Sequence, residues 1–175
     1  MAEIKKPESV KLFVGLISGS KEKFFEVEKL LQKKYGKIDF ESETISFDFT
    51  EYYKEEMGGN LFRKWVSFEK LIGPEELSNI KTQTNSIENK FTVSGKRCIN
   101  IDPGYLALSK IVLASTKDFS HRIYLSKGIF AEITLNYKQK QFVPLPWTYP
   151  DYTSETSTRF FSNVRSKYHS QITNI

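Results

Sequence analysis

The sequence predicts an α+β fold on a single sheet in the split βαβ, ferredoxin-like order βαββαβ, extended by a helix, a C-terminal β-hairpin and a terminal helix. Three observations carry this reading. Apolar residues recur with period two in some segments and near 3.6 in others. Gly, Pro and Ser punctuate the boundaries between those segments. No repeat, low-complexity tract or long linker divides the 175 residues, a length that buries a core without disulfide staples. Residues 1–9 read as a loose lead-in and residues 10–175 as one domain.

The elements follow in order. Val10 to Ile17 is a near-continuous apolar run, as in a central strand buried on both faces. Ser20 is placed to cap a helix over Lys21 to Tyr35, with Phe24, Val27, Leu30 and Leu31 on its packing face and Gly36 as its C-cap. A second strand spans about Glu43 to Phe49, where Ile45, Phe47 and Phe49 alternate with polar residues. Tyr52 to Asn60, ending near Gly58-Gly59, reads as a turn or short helix, and Arg63 to Phe68 as a third strand. Pro74, followed by Glu75 and Glu76, suits the first turn of a helix running to about Phe91. A fourth strand, Arg97 to Ile101, stops at Asp102-Pro103-Gly104, and Tyr105 to Ser115 reads as a third helix. His121 to Leu125 and Ile129 to Tyr137 form a hairpin through Ser126-Lys127-Gly128, with Ile123 and Leu125 facing the core. The proline-rich stretch Pro144 to Tyr152 is irregular and needs pinning by Trp147, Tyr149 and Tyr152. A last helix, about Ser154 to Ser170, packs through Phe160, Phe161, Val164 and Tyr168.

Composition excludes several classes. The single cysteine, Cys98, forbids an intrachain disulfide or a multi-cysteine metal centre and reads as a buried structural thiol. The polar start and the short first apolar run predict no signal peptide and no membrane span, hence a cytoplasmic protein. The formal charge of +5 is spread among glutamates, the pattern of solvated helix faces and not of a basic tail. No Walker A loop, G-x-S-x-G elbow or HExxH is present, and Thr116-Lys117-Asp118 has no P-loop to accompany it. With two histidines, His121 and His169, a zinc site would need carboxylates, and His169 belongs to solvent near the end of the last helix.

Three polar groups remain. Asp102-Pro103-Gly104, at a strand end leading into a helix, is either an ordinary cap or an anion site in which Gly104 admits a close ligand and Tyr105 lines it. Lys110 and Lys117, seven residues apart on one face of that helix, would join Arg122 in binding an anion. His121 is either a satisfied core histidine or a general acid/base. The carboxylates Asp48 and Glu132 complete the set. Glu132 sits among apolar residues and needs a partner, for which Arg122 on the neighbouring strand is the candidate. Trp147, in the aromatic stretch, either packs across the sheet mouth or stacks a ligand.

DFTEYYKEEMG, NIDPGYL, TKDFSHRIYLSKGIFAEITL and PLPWTYPDY resemble the prokaryotic family catalogued as domain of unknown function 4416, from about Val10 through the last helix. Phe130 stands where that family carries Tyr as often. The resemblance implies a bacterial or archaeal cytoplasmic protein, and no established activity, cofactor or catalytic residue. A GTP-binding label carried by some members finds no P-loop in this chain.

The leading expectation is therefore a small-molecule site, open to catalysis, for an anionic or phosphorylated ligand. Asp48, Asp102, His121 and Glu132 would serve as acid/base groups, the carboxylates also as metal ligands, and Lys110, Lys117, Arg122, Tyr105 and Trp147 would bind the ligand. The alternatives are an RNA- or nucleotide-binding module and a non-catalytic assembly partner. The residues name no cofactor, metal or oligomeric state.

Overall fold

The computed structural model describes residues 3–173. Its core is a nine-stranded antiparallel sheet in the order β11-β10-β8-β7-β1-β4-β2, with β3 also on β4 and β9 also on β10. The chain runs β1 (Val10–Ser18), α1 (Lys21–Tyr35), β2 (Ile38–Glu41), β3 (Ile45–Phe47), α2 (Lys54–Met57) and β4 (Leu61–Ile72). A 3-10 turn at Pro74–Glu76 leads into α3 (Leu77–Lys90), and a small hairpin of β5 (Thr92–Val93) and β6 (Lys96–Arg97) follows. The second half holds β7 (Ile99–Ala107), β8 (Lys110–Ser115), β9 (Ile123–Ser126), β10 (Ile129–Lys138), β11 (Gln141–Pro144) and α4 (Glu155–Thr173). Among the described residues no helix is long and apolar enough to cross a membrane.

Alternation in the central strands sorts the core into two layers. On one face Leu12, Val14 and Leu16 of β1 meet Phe24, Val27 and Leu31 of α1 and Ile80 and Ile87 of α3. On the other face Phe13, Trp65 and Leu106 meet Phe160, Phe161, Val164 and Tyr168 of α4, as the periodicity of α4 requires. Leu30 stays at the surface of α1, and Glu28 takes a buried place there beside Lys64, 2.6 Å away. Ser20 precedes α1, but its hydroxyl binds Glu22 (2.6 Å) and caps no backbone N–H. Gly36 ends α1 with φ +95°, a conformation costly for any residue with a Cβ, and donates its N–H to Gln32 (2.9 Å).

The expected helix Tyr105 to Ser115 is instead the β7–β8 hairpin, turning at Leu108-Ser109. Both strands are covered on two faces, so their apolar residues run together and mimic a buried helix; Ile111 and Val112 are the β-branched residues that decide it. Asp102-Pro103-Gly104 accordingly lies inside β7, not at a helix start. The expected strand Glu43 to Phe49 shortens to β3, and β2 before it was not expected; between the two, the Ser42 hydroxyl accepts the Trp65 N–H (2.9 Å). The C-terminal hairpin forms as read, its turn held by Lys127 (φ 55°) and Gly128 (φ 73°). Ile123 and Leu125 of β9 nevertheless face solvent. Cys98 is half-buried rather than enclosed.

Candidate functional site

A cleft of about 620 Å³ opens where β7 and β8 part. Its origin is legible in backbone chemistry. A two-residue hairpin makes its flanking pair, Ala107 with Lys110, a hydrogen-bonded one, and such pairs recur at every second residue. The next are Tyr105 with Val112 and then Pro103 with Ala114, but proline has no N–H to donate. The ladder stops at Gly104 with Leu113, although both strands continue. The exposed edge of β7 is then satisfied by α3. Glu88 accepts the Ile101 N–H (2.6 Å), and Lys81 donates to the Ile101 carbonyl (3.0 Å). Side chains replace a strand, and the gap lets groups from both layers meet.

The floor of the cleft is set by register. Gly15 pairs with both Trp65 and Asp102, and Ile17 with both Arg63 and Asn100, so these side chains share one face. With no side chain on Gly15, the Arg63 guanidinium folds across β1; a Cβ there would lie 2.8 Å from Nη2. Arg63 is 2 % exposed, stacked over Trp65 (4.7 Å) and Tyr152 (5.3 Å), and its Nη2 donates to the Tyr152 hydroxyl (3.1 Å). Asp151 lies 3.0 Å from Nε but off the N–H direction, and Asp102 lies 4.0 Å from Nη1. Among the described residues Nη1 has no hydrogen-bond partner. Asp102 accepts from Lys81 (3.2 Å) and from Asn100 Nδ2 (2.5 Å).

These contacts divide the acids. Burial pushes Asp102 up, but Lys81 and Arg63 outweigh it and hold its carboxyl below the usual value. Burial raises Asp151 and Glu88 despite Arg63 beside one and Lys81 beside the other. Burial, reinforced by Asp102, also keeps the Tyr53 hydroxyl protonated far above neutrality. The floor thus offers a carboxylate acceptor next to guanidinium and phenol donors, a pairing suited to holding hydroxyl and anionic groups.

The rim is a separate network. Glu132, 2 % exposed, accepts from Arg122 Nε (2.7 Å) and lies 3.1 Å from His121 Nε2. Arg122 Nη1 donates to the Lys117 carbonyl (3.0 Å) and Nη2 to the Tyr149 hydroxyl (2.9 Å). His121 stacks on Trp147 (4.9 Å), whose indole N–H donates to the Ile133 carbonyl (2.8 Å). Lys117 donates to the Tyr52 hydroxyl (2.7 Å) from above the ring. Opposite, Arg97 forks onto Glu56 (2.7 and 2.8 Å) and reaches Glu88 (3.0 Å), with the Glu56 hydrogen bond the main reason it is held more basic than usual.

Of the expected residues, Asp102, Glu132, Lys117 and Arg122 line the cleft, and the expected Arg122–Glu132 pair forms. His121 flanks it as part of an aromatic stack, neither core nor open to the cavity, and Trp147 is its stacking partner. Asp48 does not join them. β3 ends at Phe47, and alternation turns Phe47 inward and Asp48 to solvent. No group of three or more His, Cys, Asp or Glu side chains among the described residues is arranged to hold a metal ion, so Asp48, Asp102 and Glu132 form no metal triad. Lys110 sits at the hairpin end of β8 and Lys117 two residues past its other end, so a strand about 17 Å long lies between them. Tyr105 packs against the core beside Val112, and Gly104 faces Phe13 and the Val112 carbonyl, each 2.5 Å from where a Cβ would stand, instead of a ligand.

Arg63, Lys81, Glu88, Arg97 and Asp151 were not anticipated. Arg63 shares a phase with Leu61 and Trp65 on β4, and Lys81 and Glu88 lie on the apolar face of α3 beside Ile80 and Ile87. A charged residue in an apolar phase was the available signal.

Fold and cleft define a mixed α/β protein with a large antiparallel sheet and a charged cavity at a parting of its strands. The chain belongs to the family described as Domain of unknown function (DUF4416), whose model matches residues 8–168. No curated protein and no solved structure matches the chain.

Proposed function

We propose that this protein binds a small anionic molecule in the cleft between β7 and β8, with Arg63 as its anchor. The carrying observation is the buried guanidinium of Arg63, a residue lining the cleft, whose Nη1 lies 4.0 Å from Asp102 and has no hydrogen-bond acceptor among the described residues. A buried guanidinium is costly to leave unsatisfied, and an anionic oxygen is its natural complement. The cavity volume is that of a metabolite-sized site. The split βαβ reading fits the central order β7-β1-β4-β2, and we read the chain from residue 10 onward as one domain on that core.

Thermal unfolding with inorganic phosphate, sulfate and small carboxylates tests the reading. A ligand at 100 times its Kd adds about 2.7 kcal/mol, a clear rise in Tm. Arg63→Gln should remove that rise, while Lys110→Ala, at the far end of β8, should keep it. Loss in neither variant, or no rise with any anion, would overturn the proposal. RNA binding finds less support, because the cleft cations pair with carboxylates and make no open basic face. An assembly role is favoured by one feature, the exposed Ile123, Tyr124 and Leu125 of β9. A concentration-dependent sedimentation coefficient, lost in Ile123→Asp, would support it.

A further inference from the structure

We infer that the ligand is a hydroxylated molecule bearing one anionic group, a sugar acid or sugar phosphate in chemical class, and not a polyphosphate. This rests on the reading of the cleft as an anion site and is carried by a donor and acceptor inventory.

Five cationic side chains and four carboxylates line the cavity, and Glu56 pairs with Arg97 from beside it, so no surplus of positive charge is left for a polyphosphate. Most of the cations are already spent. Arg97 is committed to Glu56 and Glu88, and Arg122 to Glu132, the Lys117 carbonyl and Tyr149. A triphosphate would bring acceptors alone to a wall where Asp102, Asp151 and Glu88 already compete for donors. A hydroxyl group both donates and accepts, so it can bridge the two functions of the floor. It can accept from the Tyr53 hydroxyl and donate to Asp102, whose carboxylate has acceptor capacity beyond its bonds to Lys81 and Asn100. Phe47, Tyr53 and Tyr149 supply the flat apolar walls against which a sugar ring packs.

Titration calorimetry on the intact protein tests the class with six probes: gluconate, glucose 6-phosphate, acetate, inorganic phosphate, sorbitol and inorganic triphosphate. One of the first two should bind at least about tenfold more tightly than its bare headgroup, sorbitol or triphosphate, the difference one or two buried hydrogen bonds make. The winner tells carboxylate from phosphate. Asp102→Asn should bring the hydroxylated probe down to the level its bare headgroup shows in the same variant. Tyr53→Phe, which keeps the ring, should weaken the hydroxylated probe about tenfold and serves if Asp102→Asn misfolds. Equal binding of bare headgroups, or tightest binding of triphosphate, overturns the ligand class but leaves the anion site standing. No binding by any anionic probe overturns the anion site itself.

Discussion

The floor and the rim of the cleft are built from the same residue types and differ in how fully those residues are used. At the rim, each nitrogen of Arg122 meets an acceptor, and Glu132 is shared with His121. At the floor, Arg63 has one hydrogen bond to Tyr152, an off-line ion pair with Asp151 and an Nη1 that lies 4.0 Å from Asp102 with no hydrogen bond among the described residues. A polar network satisfied from within fixes geometry, whereas a buried donor left over is the group a ligand completes. Arg122, a plausible ligand contact from sequence, is by this measure a brace that positions Tyr149 and the Lys117 backbone.

The comparison breaks first at Arg63. Arg63→Met should cost about 3–5 kcal/mol, because it strands Asp151 and Asp102 around an apolar stem. Urea unfolding would show it, and a loss under 1 kcal/mol would mean that the guanidinium does not organise the floor. The rim should follow closely. Glu132→Ala leaves a nearly buried guanidinium without its carboxylate, worth about 3 kcal/mol. A double-mutant cycle with Arg122→Ala should recover at least about 1 kcal/mol as coupling, since the two act as one unit. Strict additivity would dissolve the rim network as a unit.

The outer elements were legible because their patterns are one-sided. α1 and α4 each show a single apolar stripe, and the β9–β10 turn carries its own Lys127-Gly128 chemistry. β7 and β8 were not, because strands covered on both faces lose the alternation that marks them. That one misreading spread to the site. It put Lys110 and Lys117 on a shared helix face and made Gly104 a ligand neighbour, when strand geometry separates the first two and packs the third on Phe13. Pairing across a hairpin is local, so the Arg122–Glu132 contact could be read in advance. Arg63 and Asp102 meet only through β1, by a register that no local pattern carries.

Acid unfolding sharpens the floor further, since its two carboxylates bend the pH profile in opposite directions. Asp102 is depressed in the fold, so its contribution is complete above its unfolded value of about 3.9 and drains as pH falls below it. Asp151 is raised by burial, so the unfolded chain ionises first and stability falls as pH rises past about 3.9. Asp102→Asn should therefore flatten the loss below about pH 4, and Asp151→Asn the loss just above it. Identical profiles for the two variants would show that both acids sit in equivalent surroundings.

The smallest effect belongs to the outermost contact. Lys117 reaches Tyr52 across the mouth of the cleft, and Tyr52 is 58 % exposed. A cation over an exposed ring contributes about 0.5–1 kcal/mol, so Tyr52→Ala should lower stability by no more than that. Its value lies in the contrast. Lys117 is exposed and held by a single hydrogen bond, whereas the Arg122 side chain is buried and held at all three nitrogens, so Lys117 is a rim cation free to turn toward an anion. Lys117→Ala should leave urea unfolding within about 0.5 kcal/mol of the parent while weakening phosphate binding several-fold. If phosphate affinity does not move, the rim is framework throughout and the anion is held by the floor alone.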